Sequence, residues 1–303
     1  MRDDLAVKMH ADQLDVSAEV VAALVAEQFP EWRALPVRPL PSTGTVNGLF
    51  RLGAEIVLRF PLQPTADPEL RAELLREQEH ARLLGRHLPI AVPEPLGLGE
   101  PGEGYPGTWT AYRWIPGEPI HPAHLGDLDA FARDLAGVVT ALHAIDTGGR
   151  AWSGSGRGGP LADQDDGVRA ALAVSGALTD TAALGQVWAR CRDARRDDPA
   201  DVWIHGDLMP GNLLVRDGRL VAVIDLGTVG VGDPAVDLMP AWNLFDAGSR
   251  ETYRRVLGVD DDATWERGRG WALVQAINAL PYYVETNPEM AAIARHTLRA
   301  VLG

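Results

Sequence analysis

The stretch His205-Gly206-Asp207-Leu208-Met209-Pro210-Gly211-Asn212, with Val223-Ile224-Asp225-Leu226-Gly227 after it, decides how the rest of this 303-residue chain is read. Asp207 stands five residues before Asn212, and Asp225 thirteen residues after it. Pro210-Gly211 forces a turn that can carry Asn212 back toward Asp207. Asp225 closes the apolar run Val221-Ala222-Val223-Ile224, where a carboxylate would be costly to bury without a charged partner or a metal. Asp, Pro, Gly and Asn each suit an ordinary hairpin when taken singly. Their combination is more specific, because carboxylate and amide oxygens are hard ligands of the kind magnesium takes when phosphates complete its shell.

In kinase-type phosphoryl transfer a loop Asp accepts the proton of the attacking hydroxyl, while an Asn and a second Asp hold magnesium on the phosphates. Asp207 is the catalytic candidate on this pattern, with Asn212 and Asp225 as the metal candidates. His205 is expected to bond the loop backbone rather than to exchange protons. Upstream, Ser42-Thr43-Gly44-Thr45-Val46-Asn47-Gly48 could bring amides and hydroxyls to phosphates between two strands, although such residues also make plain hairpins. Ser42, Gly44, Thr45 and Asn47 are the nucleotide candidates there. The strands Val46–Leu52 and Glu55–Phe60, joined by a turn near Gly53, lead to Arg59, a cation where lysine is the usual choice. Arginine offers forked donors to phosphate and carboxylate oxygens but is not lysine's equivalent. The alternative for Arg59 is an exposed strand residue. Its partner should come from the helix Pro68–Arg86, whose apolar stripe Leu70, Leu74, Ala81 and Leu84 includes Glu77 and leaves Glu79 outside.

Composition bounds the remaining possibilities. Hydrophobic residues make up 46% and charged residues 23%, as in globular proteins, and the length fits two domains. A formal net charge of -14 argues against nucleic acid as a partner. It suits either simple solubility or a cationic small molecule. One cysteine, Cys191, rules out an intrachain disulfide and fits a reducing, cytoplasmic setting. Met1-Arg2-Asp3-Asp4 opens no signal-peptide pattern, and no apolar run long enough to span a membrane follows. Lys8 is the only lysine, so a phosphate-binding loop ending in Gly-Lys-Ser/Thr cannot occur. Gly99–Gly104 does not open a helix, and His121 with His124 lacks nearby ligands for zinc.

The periodicity predicts a helix after Ser17, Pro-containing linkers, the two strands, the helix Pro68–Arg86 and a strand Thr108–Ile115 ending at Pro116-Gly117. Beyond it come a helix Leu128–Ile145, a flexible Gly148–Gly159 loop, helix from Ala170 to Arg196, the motif hairpin, and further helices. Asp233 and Asp237 in Gly232-Asp233-Pro234-Ala235-Val236-Asp237-Leu238 are expected to cap a helix started by Pro234.

These motifs together resemble the aminoglycoside phosphotransferase family of small-molecule kinases, which includes macrolide phosphotransferases. The resemblance rests on His205-Gly206-Asp207 with Asn212, Ile224-Asp225 with Gly227, and Gly232-Asp233-Pro234-Ala235 with Asp237-Leu238. Gly44–Gly48, Val57-Leu58-Arg59, Arg76-Glu77-Gln78 and Tyr112–Gly117 extend it across most of the chain. It implies an α+β fold of the bilobal protein-kinase type, with an N-lobe of antiparallel sheet and one helix over 1–112. A larger, mainly helical C-lobe would occupy 113–303, with the active cleft between the lobes. It further implies Mg2+ with ATP, or GTP, as cosubstrate, phosphate orientation by Arg59 and Glu77, and adenine recognition by backbone groups around Tyr112 and Trp114. Gly206 stands where protein kinases carry arginine, so no activation-loop phosphoswitch is expected. The acceptor would be a small molecule bound by the C-lobe, with candidates Asp163, Asp165, Asp166, Trp242, Asp246, Tyr282 and Glu285. Acidic groups fit an aminoglycoside and aromatic ones a macrolide or choline-like cation. A sugar or amino alcohol is the alternative acceptor, and a nucleotide-binding pseudokinase module is the alternative of another class.

Overall fold

The computed structural model describes residues 14–41, 46–63, 68–120, 126–197 and 200–303. Ser42, Gly44, Thr45, Lys8, His121 and His124 lie outside these residues. The described residues form two compact units by internal contact, one running to Gly85 and including Val92–Pro116, the other comprising Arg86–Ala91 and Gly117–Gly303.

In the first unit, the strand Ile56–Pro61 alternates buried Ile56, Leu58 and Phe60 with half-buried residues, and the strand Trp109–Arg113 is buried at four consecutive residues. Helix α1 (Ala18–Gln28) is capped by Ser17, whose side chain accepts from the Val20 amide, and it buries Val21, Leu24 and Val25. Strands β1 (Val37–Leu40), β2 (Asn47–Leu52) and β3 (Ile56–Pro61) follow, then helix α2 (Pro68–His87) and strands β4 (Pro95–Gly99) and β5 (Trp109–Arg113). The sheet is antiparallel in the order β1-β2-β3-β5-β4. Phe50, Leu52, Leu58, Phe60, Trp109 and Ala111 bury with the α1 side chains in one cluster. Phe60 stacks on Trp109 at 5.0 Å. Gly99 is required beneath that indole, since a Cβ there would lie 1.9 Å from it. Two strands depart from the sequence expectation, because β1 and β4 carry the prolines that suggested linkers and a helix stop. Pro39 is tolerated because β1 is an edge strand that needs no inward amide there.

The second unit is mainly helical. It contains β6 (Glu118–Pro119), α3 (Leu128–His143), α4 (Asp165–Val174), α5 (Thr181–Arg192) and the short strands β7 (Val202–Ile204), β8 (Leu213–Arg216), β9 (Arg219–Val223) and β10 (Gly230–Gly232). Helices α6 (Pro240–Asn243), α7 (Ala247–Leu257), α8 (Asp262–Tyr283) and α9 (Pro288–Leu302) complete it. The single helix expected from Ala170 to Arg196 is two, because Ser175-Gly176 ends the first and Asp180 caps the second through the Ala183 amide. Strand β7 pairs with β10, and β8 with both β9 and β6. These short ladders fix both ends of the loop that follows Ile204. Among the described residues, no helix is long and apolar enough to cross a membrane.

Candidate functional site

The loop between β7 and β8 is held from below by one buried carboxylate. Asp237 is fully buried, and its two oxygens accept the His205 amide at 3.0 Å and the Gly206 amide at 2.8 Å. His143 of α3 adds Nε2 at 3.1 Å, and the Tyr253 hydroxyl donates to the Asp237 carbonyl at 2.8 Å. Asp237 is therefore not the helix cap expected from sequence. Asp233 alone plays that part, accepting from the Ala235 amide at 3.0 Å while paired with Arg267 at 2.7 Å.

His205 bonds the backbone on both sides of its ring. Its Nδ1 accepts the Asp207 amide at 3.2 Å, which leaves Nε2 to donate to the Ile224 carbonyl at 3.2 Å. The Thr228 hydroxyl donates to the His205 carbonyl at 2.8 Å. Gly206 has φ of +78°, and a Cβ at that position would meet the Thr228 carbonyl at 3.1 Å. A side chain there would be strained and crowded.

Asn212 turns its amide nitrogen to Asp207, donating to the Asp207 carbonyl at 2.9 Å and to Oδ2 at 3.2 Å. Its Oδ1 is thereby the atom facing away from Asp207 and suited to a cation. The Ile224 amide donates to the Asn212 carbonyl at 2.9 Å, which ties this turn to the strand leading into Asp225. Asp225 is exposed rather than buried, so desolvation does not explain its place. Its backbone does: φ of 64° and ψ of 72° put a non-glycine residue in the left-handed region. The Asn212 amide and the Asp225 carboxylate offer oxygens of the kind magnesium takes, and it needs only one or two protein ligands when phosphates and water complete its shell. Among the described residues, no group of three or more His, Cys, Asp or Glu could hold a metal without such help.

Two residues at this loop were not legible from the motif. Arg157 Nη1 donates to Asp207 Oδ1 and, at 2.6 Å, to the Gly206 carbonyl. Gln275 Nε2 of α8 donates to the same Oδ1 at 2.5 Å. They lie 50 and 68 residues from Asp207 in sequence. The only local hint was an arginine isolated among glycines.

In the first unit, alternation that buries Leu58 and Phe60 sends Arg59 to the opposite face of β3. There its Nη1 meets Glu77 Oε1 at 2.5 Å. Glu77 is buried and Arg59 nearly so, with side chains 8% and 18% exposed. The Tyr112 ring lies 5.8 Å from the Arg59 guanidinium, and burial pushes the Tyr112 hydroxyl pKa upward. Glu79 is not the partner. Of the backbone groups around Tyr112 to Trp114, the Arg113 amide donates to the Glu94 carbonyl at 2.9 Å and the Trp114 amide to the Glu55 carbonyl at 2.7 Å. Sheet pairing has already used both donors. Trp114 instead carries the Arg51 guanidinium 3.7 Å above its ring. Asn47 opens β2, opposite Pro61.

The acceptor candidates do not behave alike. Asp165 accepts from the Trp188 indole at 2.8 Å and pairs with Arg192 and Arg169. Those bonds, the indole's first, hold its carboxyl below the usual range. Trp242 is buried against Trp265 at 4.8 Å. Asp246 caps α7 through the Ser249 amide and hydroxyl, at 2.9 and 2.7 Å, and these lower its pKa. These three are engaged in bonds and packing within the fold, Asp246 while remaining exposed. Asp163, Asp166, Tyr282 and Glu285 are exposed.

Comparison with known proteins bears on these features. The model of the phosphotransferase enzyme family matches residues 38–271. Aminoglycoside 3'-phosphotransferases of Escherichia coli and Salmonella typhimurium are each 33% identical over 79 residues, or 25% of this chain and 29% of the relative. The match thus spans less than a third of those enzymes. Among solved structures, the GDP complex of wild-type aminoglycoside 2'-phosphotransferase-IIIa superposes with a TM-score of 0.70 at 19% identity, covering 95% of this chain and 99% of the other. The macrolide 2'-phosphotransferase MphH apoenzyme from Brachybacterium faecium gives 0.58 at 22% identity, covering 93% and 97%. At such identities the two superpositions establish a shared fold, the α+β fold of kinase-like phosphotransferases.

Proposed function

Since the chain belongs to the phosphotransferase enzyme family, we propose that it transfers the terminal phosphoryl group of ATP, or GTP, to a hydroxyl of a small molecule with the help of Mg2+. The observation that carries this reading is the Asp207 loop, where a half-buried carboxylate, an amide locked onto it and a left-handed Asp225 are built together. Asp207 would receive the acceptor's proton. Asn212 and Asp225 would hold magnesium, whose chemistry is to neutralise charge on the phosphates. In the first unit, the Arg59 guanidinium, fixed by Glu77, suits phosphate oxygens through its remaining donors.

For the acceptor we propose an antibiotic of the aminoglycoside or macrolide kind, on the strength of what the relatives act on. Asp163, Asp166, Asp246, Tyr282 and Glu285 are the exposed candidates for binding it. A metabolite hydroxyl is the second acceptor class. The pseudokinase reading draws on Arg59 in the place of lysine, and Asp207, Asn212 and Asp225 count against it.

The test is nucleotide consumption with Mg-ATP and Mg-GTP over a panel of aminoglycosides, macrolides, sugars and amino alcohols, for the wild type and Asp207→Asn. Loss of a catalytic base costs roughly 10²- to 10⁴-fold, so the variant should fall by at least that much on the active acceptor. Turnover in Asp207→Asn equal to wild type would remove Asp207 from the chemistry. Nucleotide-dependent stabilisation with no turnover on any acceptor would favour the pseudokinase.

A further inference from the structure

Asp207 is gripped unequally on its two oxygens. A carboxylate has about four acceptor positions, two on each oxygen. On Oδ1 both are taken, by Arg157 Nη1 and by Gln275 Nε2 at 2.5 Å. On Oδ2 one is taken, by Asn212 Nδ2 at 3.2 Å. Among the described residues this leaves a single position, on Oδ2.

The two groups on Oδ1 arrive from separate elements, each independently fastened. Arg157 precedes Gly158, whose carbonyl accepts the Asp233 amide at 2.8 Å. Gly158 is packed so closely that a Cβ on it would lie 2.5 Å from Ile204, and one on Gly232 would lie 2.8 Å from the Gly158 carbonyl. The glycine-rich segment expected to be flexible is thus pinned next to its arginine. Gln275 belongs to α8, which sits close enough to its neighbours that a Cβ on Gly268 would be 2.6 Å from Leu238. The Arg157 side chain is 31% exposed and that of Asp207 20%, so stability gains little from this pair. Its geometry is the more consequential feature.

We infer that Arg157 and Gln275 are positioning residues for phosphoryl transfer, holding Asp207 by Oδ1 so that Oδ2 is the oxygen that meets the acceptor. This rests on the phosphotransferase reading above. In the step itself the acceptor oxygen bonds to the γ-phosphorus and its proton passes to Oδ2. The bond from that phosphorus to the β–γ bridging oxygen breaks, and its electron pair leaves with the nucleoside diphosphate. Arg157 also offsets the charge of Asp207, which reduces repulsion between the base and incoming phosphates.

The experiment measures kcat and KM for Mg-ATP and Mg-GTP with kanamycin, a macrolide and water as acceptors, for wild type, Arg157→Ala, Arg157→Lys, Gln275→Ala and Asp207→Asn. Misplacing a reacting group by an ångström costs about 100-fold, so Arg157→Ala should lose about 10- to 100-fold in kcat, and Gln275→Ala somewhat less. Nucleotide KM should stay within about twofold, as expected when ground-state binding is untouched. Arg157→Lys should recover most of the rate, because one nitrogen, Nη1, makes both arginine contacts and an ammonium can do the same. Wild-type kcat in Arg157→Ala, beside an inactive Asp207→Asn, overturns the inference and leaves the phosphotransferase reading standing. So does equal loss of rate and of melting temperature in the Ala and Lys variants, which marks a purely structural contact. An Asp207→Asn protein as active as wild type, or a wild type that consumes neither nucleotide with any aminoglycoside, macrolide, sugar or amino alcohol of the panel above, overturns the phosphotransferase reading and with it this one.

Discussion

Asp225 sits in a backbone conformation that few side chains accept, with φ of 64°. For an ordinary L-residue the left-handed region costs about 1–2 kcal/mol, and Asp and Asn tolerate it best because their short polar groups bond locally. That tolerance allows charge to be separated from backbone geometry. Asp225→Asn should keep the turn, and so melt close to the wild type, while removing one anionic ligand from the proposed magnesium site. A ligand at a hundredfold excess over its Kd stabilises by about 2.7 kcal/mol. The part of nucleotide stabilisation that needs Mg2+ should therefore shrink in Asp225→Asn, and the magnesium-independent part should not. Thermal melts with ATP, with and without Mg2+, give the comparison. A variant whose magnesium-dependent gain equals the wild type's would take Asp225 out of metal binding.

Among the elements, the turn Pro234–Leu238 does more than link strand to helix, because Asp237 inside it receives two loop amides and His143. Leaving a buried donor without an acceptor costs about 1–3 kcal/mol each. Asp237→Ala strands at least two, so a loss of several kcal/mol is expected in chemical denaturation, together with loss of activity, although Asp237 touches neither Asn212 nor Asp225 in any bond described above. Asp237→Asn keeps one acceptor oxygen and should fall between. An Asp237→Ala protein as stable as wild type would contradict the bond pattern. This element also illustrates what sequence could and could not convey. Asp207, Asn212 and Asp225 were legible because their relation is local, set by a Pro-Gly turn and one hairpin. The Arg59 partner was legible because helical periodicity put Glu77 in an apolar stripe. Asp237 was misread because Asp233-Pro234 already explains a cap, and nothing local distinguishes a second carboxylate that turns inward. The bonds of Asp165 and Asp246 were hidden in the opposite sense, since an acid that caps a helix or meets an indole looks in sequence like a free one. Gln275 had no local signal and Arg157 only its isolation among glycines, because their link to Asp207 is made by tertiary packing. Strands β1 and β4 were hidden by Pro39 and Pro95, which edge positions accommodate.

For the whole molecule, Cys191 is a single-site reporter of how the helical unit opens. It is the chain's only cysteine, it is fully buried on α5, and it lies 3.5 Å from Glu266 of α8. Burial, with the Glu266 charge added, pushes its thiol up to about 12 from an ordinary value of 9.0. At pH 8 only about one thiol in ten thousand would then be ionised in the folded state, against roughly one in ten when the thiol is exposed. Alkylation by iodoacetamide at pH 8 should consequently be slow in the native protein and rise only with the fraction of molecules in which α5 has left α8. The same shift sets a sign for stability. Between about pH 9 and about 12 the unfolded chain gives up this proton and the folded one keeps it, so the group's contribution is complete below pH 9 and declines as pH rises through that interval. Denaturation midpoints measured across that range should fall with pH, and replacing Cys191 by Ala should make the fall shallower. Native-state labelling as fast as that of the denatured chain would show that the thiol is reached without unfolding, and would place the opening of α5 outside the cooperative transition.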